Sequence, residues 1–250
     1  MKVLVIDIGG TNVKMLATGH AQPLKFPSGS GLTPSQMVAR AKRLSAKWEY
    51  DVLSIGVPGP VLFGELVAEP LNLGPGWVGF DFSAAFGVPV KLVNDAAMQA
   101  VGSYRGGRML FFGLGTGLGT ALVINGVAES REIAHFPYKK GTYEEYVGAR
   151  ALRRLGKKKW RRHVNEIISN FLTKVHVDDV VVGGGNAKKL KKLPKGCRAG
   201  DNANAFVGGF RLWEEPRAKS GSPKVVKLVP RKGQSSSETR SSATRTKLRA

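Results

Sequence analysis

Two carboxylates in this chain stand where apolar runs stop, the place where a side chain can meet a ligand while its backbone is held. Asp7 ends the run Val3-Leu4-Val5-Ile6 and is followed, after Ile8, by Gly9, Gly10 and Thr11. The paired glycines read as a tight turn where the backbone can come close to a bound group. Backbone N–H groups at such a tip form an anion-binding nest, and Asp7 beside it could hold a metal-bound water. Asp95 follows the run Val88–Asn94 and precedes an alanine-rich stretch from Ala96. A carboxylate at a strand end, facing a helix N-terminus, is well placed for a ligand. It can accept a proton across a short hydrogen bond, or it can serve as the N-cap of the helix.

Both stretches need particular elements around them. The dinucleotide fingerprint and the GxxxxGK[ST] loop require a helix directly after the glycines. Here Asn12–Ala17 alternates as a strand does, so Lys2–Ala17 is predicted to be a hairpin with Asp, Gly, Gly and Thr at its tip. The device recurs. An ungapped shift of 106 residues lays 2–17 over 108–123, setting Gly9 on Gly115 and the Gly10-Thr11 turn on Thr116-Gly117. Such internal similarity predicts two like-built lobes, 1–105 and 106–216, each opening on a Gly/Thr hairpin. Thr33-Pro34-Ser35-Gln36 has the pattern of a capped helix start, and that helix is expected to run through Met37, Ala41, Leu44 and Trp48. Further strands are predicted at 24–26, 51–56, 88–93 and 177–182. Helices are predicted at 82–86, 96–101, 143–155, 158–174, from Asn186, and at 203–213. Val57-Pro58-Gly59-Pro60 is a constrained turn. The alternation of β and α elements predicts an α/β protein with a cleft between its lobes.

Taken in order, several motifs carry a more specific resemblance. They are Asp7-x-Gly9-Gly10-Thr11-x-x-Lys14, Gly56-x-Pro58-Gly59, Val93-Asn94-Asp95-Ala96, Gly113-Leu114-Gly115-Thr116-Gly117 and Val182-Gly183-Gly184-Gly185. This order resembles that of the ROK sugar kinases, which have the two-lobed actin-like/ribonuclease H-like ATPase fold. Asn72-Leu73, Gly76-Trp77-Val78-Gly79-x-Asp81, Trp160-Arg161-Arg162-His163-Val164-Asn165 and Gly200-Asp201-Asn202-Ala203 are similar to segments of the polyphosphate glucokinases. The resemblance spans about residues 2–213.

The resemblance implies that Asp95 is the general base of phosphoryl transfer to a sugar hydroxyl, a reaction in which the protein mainly positions the nucleophile and neutralises charge. It implies that Asp7 orients Mg²⁺ through water, and that Gly9, Gly10 and Thr11 cradle donor phosphates opposite Gly115, Thr116 and Gly117. Gly183, Gly184 and Gly185 would let a nucleotide approach; a bare strand-to-helix turn is the alternative. Asn94, Glu132, His135 and Glu144 would hydrogen-bond the sugar, with Gly59 and Asn72 as further candidates, and Glu145 could stand in for Glu144. Lys14 reads as a structural or neighbouring charge. Many members carry a cysteine-rich zinc motif between this His and Glu. Phe136–Tyr143 contains no cysteine, so no structural zinc is expected and the loop that orients His135 lacks an evident brace. The resemblance further implies ATP and/or polyphosphate as donor and assembly as a homodimer.

Bulk properties agree with a folded, ligand-binding chain. The 250 residues are 42% hydrophobic, enough for a sizeable core. Cys197 is the one cysteine, which excludes an intramolecular disulfide and a multi-cysteine zinc site. No apolar run reaches membrane-spanning length, and the chain enters a strand at once, so a soluble cytoplasmic protein without a membrane partner is expected. The formal net charge is +21. Residues 217–250 hold ten Lys/Arg against Glu238, and the remainder holds 29 basic against 17 acidic residues. The tail, Ser/Thr/Arg-rich, is expected to be disordered and to offer a polyanion contact. Arg153-Arg154, Lys157–Arg162 and Lys188–Lys192 are the densest basic runs before it; they suit a polyphosphate chain or simply a solvated helix face. The leading expectation is a glucokinase making glucose 6-phosphate. A ROK kinase for fructose, mannose or an N-acetylhexosamine and a non-catalytic sugar- or polyanion-binding protein are the alternatives. Asp7 and Asp95 favour catalysis, since a pure binder needs neither.

Overall fold

Both predicted hairpins form, and each seeds a sheet. In a computed structural model, which describes residues 1–130 and 133–214, β1 (Val3–Ile8) pairs antiparallel with β2 (Asn12–Ala17), and β3 (Leu24–Pro27) extends the edge. Glu132 and the expected basic tail, 217–250, lie outside the described residues. Helix α1 (Pro34–Leu44) starts at a capping box: Thr33 Oγ1 accepts from Gln36 N and Gln36 Oε1 accepts from Thr33 N. It stops before Trp48, where it was expected to continue, because Ser45 takes the C-cap and its hydroxyl donates to Ala41 O. Then come β4 (Val52–Val57), a two-residue hairpin β5 (Val61–Leu62) and β6 (Glu65–Leu66), α2 (Phe82–Phe86), β7 (Val90–Asn94) and α3 (Asp95–Ser103). β4 lies parallel between β1 and β7, giving the order β3-β2-β1-β4-β7.

The second half repeats this plan. β8 (Arg108–Leu114) and β9 (Leu118–Ile124) form the second hairpin, and β10 (Val127–Ser130) extends it. After a short pair, β11 (Pro137–Tyr138) and β12 (Gly141–Thr142), come α4 (Tyr143–Val147), α5 (Ala149–Leu172), β13 (Asp179–Gly183), β14 (Arg198–Ala199) and α6 (Asn204–Arg211). The sheet order is β10-β9-β8-β13-β14, with β13 parallel to β8 and β14 parallel to β13. The repeat therefore extends from the hairpins to both five-stranded sheets. It is not register-perfect. Ile8 pairs with Val13, whereas Leu114 pairs with Leu118, so the second tip is one residue tighter than the ungapped shift implies.

Other expectations need correction. The predicted helix 143–155 is interrupted at Gly148, which is extended (φ −66°, ψ 172°) and ends α4. Within α5, Gly156 has φ 70° and ψ 162°, so the segment is two helical pieces meeting at a kink near the predicted break. After Asn186 there is only one 3₁₀ turn, Ala187–Lys189, not a helix.

Helix α3 sits between the two sheets and carries Asp95 at its first position. Ala96, Ala97 and Ala100 pack with Met109, Phe111 and Val181 of the second sheet, while Met98 packs with Val3, Val5 and Val52 of the first and with Phe206 of α6. Its C-terminal carbonyls are taken by arginines. Arg211 Nη1 donates to the carbonyls of Val101 (2.9 Å), Gly102 (3.2 Å) and Tyr104 (3.1 Å), and Arg198 Nη2 donates to Ser103 O at 2.6 Å. Cations at this end give the last carbonyls further donors and match the helix dipole. Among the described residues, no helix is long and apolar enough to cross a membrane.

Candidate active site

The two Gly/Thr tips face one another. A Cβ added at Gly10 would lie 2.9 Å from Thr116 Oγ1 and 3.8 Å from Asn72 Cβ, so the bare backbone of the first tip meets the second. Each tip is tied from outside. Gly9 N donates to Asn12 O at 3.0 Å, Ser28 Oγ to Gly9 O at 2.5 Å, and Ser28 N to Thr11 O at 3.1 Å. On the other side Ala149 N donates to Thr116 O at 2.9 Å and Asn186 Nδ2 to Gly115 O at 2.8 Å. The carbonyls of Gly9, Thr11, Gly115 and Thr116 are held this way, and Gly115 N donates within its own tip to Gly117 O at 3.1 Å.

That cleft has a volume of about 610 Å³. Asp7, Gly9, Gly10 and Thr11 line it from the first tip, and Gly115, Thr116 and Gly117 from the second. Gly59, Asn72, Asn94, Asp95, His135 and Glu144 line it as well, with Gly184 and Gly185. Gly183 is not among the lining residues; a Cβ there would meet the Phe111 ring at 2.9 Å, so this glycine makes room for packing inside the second sheet. Gly184 has φ +83°, and its Cβ would come within 2.6 Å of the Leu114 backbone, so the turn accepts only glycine. Asn186, Arg153, Lys189 and Asn202 also line the cleft. The first of these was not read as a site residue, and its place directly after three glycines was the available signal.

Asp95 and Asn94 divide the work at the start of α3. The N-cap is Asn94, whose Oδ1 accepts from Ala97 N at 3.1 Å while its Nδ2 donates to Gly59 O at 2.9 Å. Asp95 is thus not the cap. Its Oδ1 accepts from Ala96 N at 2.8 Å, inside the first turn, where the helix dipole favours a carboxylate. Asp7, Gly56 and Val93 are in register across three parallel strands, so Asp7 and the end of β7 are about 10 Å apart. Gly56 in between makes room for the Met98 side chain of α3: a Cβ there would strike the Met98 methyl, and Asp95 Cα lies just beyond at 3.4 Å.

Asp7 is 5% exposed. Burial pushes its carboxyl above the ordinary carboxylate range, and Lys14, 3.6 Å away, only partly offsets this. Among the described residues no group of three or more His, Cys, Asp and Glu could hold a metal ion. One buried carboxylate beside a glycine-rich tip fits Mg²⁺, which Asp7 would hold through water and which would supply charge neutralisation to an anionic ligand. The sign of the pH effect follows. Because the folded pKa lies above the unfolded value, Asp7 lowers stability as pH rises between the two. Asp7→Asn should therefore raise the neutral-pH stability of the free chain by about 1 kcal/mol, read as an increase in Tm. The same variant should lose the Tm gain produced by Mg²⁺ and donor together. A lowered Tm would show that the Lys14 pair outweighs burial.

Glu144 and Glu145 are also distinguished. Glu145 closes a capping box on α4, its Oε2 accepting from Thr142 N at 2.7 Å. Glu144 faces the cleft, its carboxylate lying against Gly117 and accepting from Leu118 N at 3.3 Å. Cys197 is half-buried and its thiol is pushed up to about 11, chiefly by burial and further by Asp179, which disfavours the thiolate.

Comparison with known proteins agrees on the fold. No protein-family model matches the chain. The N-acetylmannosamine kinase of Vibrio vulnificus (strain CMCP6) is 33% identical over 150 residues, covering 50% of this chain and 48% of that protein. The chain thus spans about half the length of this curated relative. The inorganic polyphosphate/ATP-glucomannokinase of Arthrobacter sp. strain KM superimposes with a TM-score of 0.72 at 21% identity, covering 83% of this chain and 96% of the other. A ROK family glucokinase from Streptomyces griseus, solved with glucose and AMPPNP, gives 0.67 at 16% identity, covering 83% and 97%. The chain has the α/β fold of ROK family sugar kinases.

Proposed function

We propose that the protein is a hexose kinase that phosphorylates glucose to glucose 6-phosphate with ATP and/or polyphosphate as donor. The observation that carries this reading is the meeting of the two tips, Gly10 against Thr116, in the same cleft as Asp7 and Asp95. The tips supply backbone N–H groups from both sides to donor phosphates, those of Gly10 and Thr11 from one and of Thr116 and Gly117 from the other; Gly9 and Gly115 shape the turns, with Gly184 and Gly185 beside them. The expected lobes, 1–105 and 106–216, would each bring one tip. Mg²⁺ held near Asp7 would neutralise phosphate charge. The sugar hydroxyl donates its hydrogen bond to the Asp95 carboxylate. As its oxygen bonds to phosphorus and the bond to the leaving phosphate breaks, the proton passes to Asp95. Asn94, His135, Glu144, Gly59 and Asn72 surround the position the sugar would take. Glu132 completes the set on the resemblance alone, as do the homodimer and a cytoplasmic location.

A second acceptor is favoured by one observation, the 33% identity to an N-acetylmannosamine kinase. A coupled assay with Mg²⁺, each of glucose, mannose, fructose and N-acetylmannosamine, and either ATP or polyphosphate decides between them. Turnover with glucose is expected, and turnover with N-acetylmannosamine alone would replace glucose.

For the donor, Arg153 and Lys189 support a polyanion. They come from two separate basic runs and both line the cleft, and Arg161 Nε, from the run between them, donates to Lys189 O at 2.7 Å. Binding through several such cations releases counterions and weakens with salt. The KM for polyphosphate should therefore rise about tenfold or more between 50 and 200 mM salt, with a smaller change for ATP. Equal salt responses would leave the basic runs as solvated surface.

A further inference from the structure

His135 and Glu144 both line the cleft, yet eight residues separate them and neither stands on a long element. An aromatic cluster packs that interval against α5. β11 and β12 pair through Pro137 with Thr142 and Tyr138 with Gly141, and Tyr143 N donates to Phe136 O at 3.1 Å. From this small hairpin the buried Tyr138 reaches α5, where its hydroxyl is hydrogen-bonded to Nδ1 of the buried His163 at 2.9 Å. The Tyr138 ring meets Tyr146 edge-on at 5.0 Å and Tyr143 at 5.4 Å, and Tyr146 meets His163 at 4.9 Å. Lys139, at the turn, pairs with Glu166 of α5 at 3.1 Å.

We infer that Tyr138 and His163 are positioning residues: their hydrogen bond docks the 136–143 loop on α5 and so sets where His135 and Glu144 present themselves to a sugar. A hydrogen-bonded pair buried among rings specifies one arrangement, because breaking it leaves a polar group without its partner. And Glu144 directly follows the loop and faces the cleft, so moving the loop moves that carboxylate relative to a bound sugar. This inference rests on the proposed sugar site.

Tyr138→Phe removes only the hydroxyl and keeps every ring contact; His163→Leu removes the other partner. Sugar affinity is measured by calorimetry with the sugar the unaltered chain turns over, AMPPNP affinity in parallel, and amide hydrogen exchange across 133–144. Each single variant should weaken sugar binding about tenfold. AMPPNP affinity should change less than about twofold. The double variant should be no worse than the poorer single one, as expected of partners in one bond. Exchange should quicken within 133–144 and not in β1 or β4. Sugar affinity unchanged in the folded Tyr138→Phe chain, additive losses, or equal loss of both ligands would overturn the inference. If no sugar binds the unaltered chain, the proposed function fails instead, and the exchange measurement still decides the brace: unchanged rates in 133–144 would remove it.

Discussion

Asp95→Asn should lower turnover about a thousandfold, within the range set by loss of a general base. Sugar affinity should stay within about threefold of the unaltered value. The separation of these two effects follows from the local structure. The start of α3 is held by the Asn94 cap and its bond to Gly59 O, neither of which involves the Asp95 carboxylate. The amide oxygen in the variant can still accept from Ala96 N, the bond now made by Oδ1. What is lost is the acceptor for the hydroxyl proton. Stopped-flow or coupled kinetics beside calorimetry reads both quantities. Unchanged turnover would take Asp95 out of the mechanism, and loss of sugar binding along with turnover would make it a binding residue.

The largest effect expected on stability comes from a residue remote from the cleft. Helices α3 and α6 touch backbone to backbone: a Cβ at Gly208 would strike the Met98 carbonyl, and one at Gly102 would strike the Asn204 carbonyl. Neither obstacle is a side chain that can turn away, so α3 itself must move. Gly208→Ala should cost about 3 kcal/mol, the upper part of the range for overpacking. Urea denaturation should show a fall in midpoint, with Val207→Ala, at a 37% exposed neighbour, as the near-neutral control. Because α3 presents Asp95, the folded fraction of the Gly208 variant should also turn over more slowly. A midpoint equal to that of the control would mean the helices are not so closely packed.

The hairpins were legible because strand alternation on both sides of a Gly/Thr tip is a local pattern, and its recurrence gave the two-part plan. Asp95 and Asn94 were legible as a strand-to-helix junction, but which of them caps the helix was not. Both types cap well, and only the geometry gives that duty to Asn94. Two-residue strands such as β5, β6 and β14 carry no periodicity at all. The helix expected after Asn186 is a single 3₁₀ turn because Asn186 is used elsewhere, its backbone N–H bonding Leu114 O and its side chain Gly115 O. The brace on the His135 loop could not be read from sequence. Tyr138 and His163 are 25 residues apart, and aromatic and imidazole side chains at that distance have no recognisable spacing. The sequence showed only that cysteines were missing there.

The central claim is that both tips hold one phosphoryl donor in front of Asp95. The measurement that reads this most directly is a crystal structure of the Asp95→Asn chain with glucose, AMPPNP and Mg²⁺. The expected result places the γ-phosphate between Gly9–Thr11 and Gly115–Gly117, with a glucose hydroxyl within hydrogen-bond reach of position 95. Donor phosphates bound away from either tip, or a sugar that never approaches that position, would contradict it.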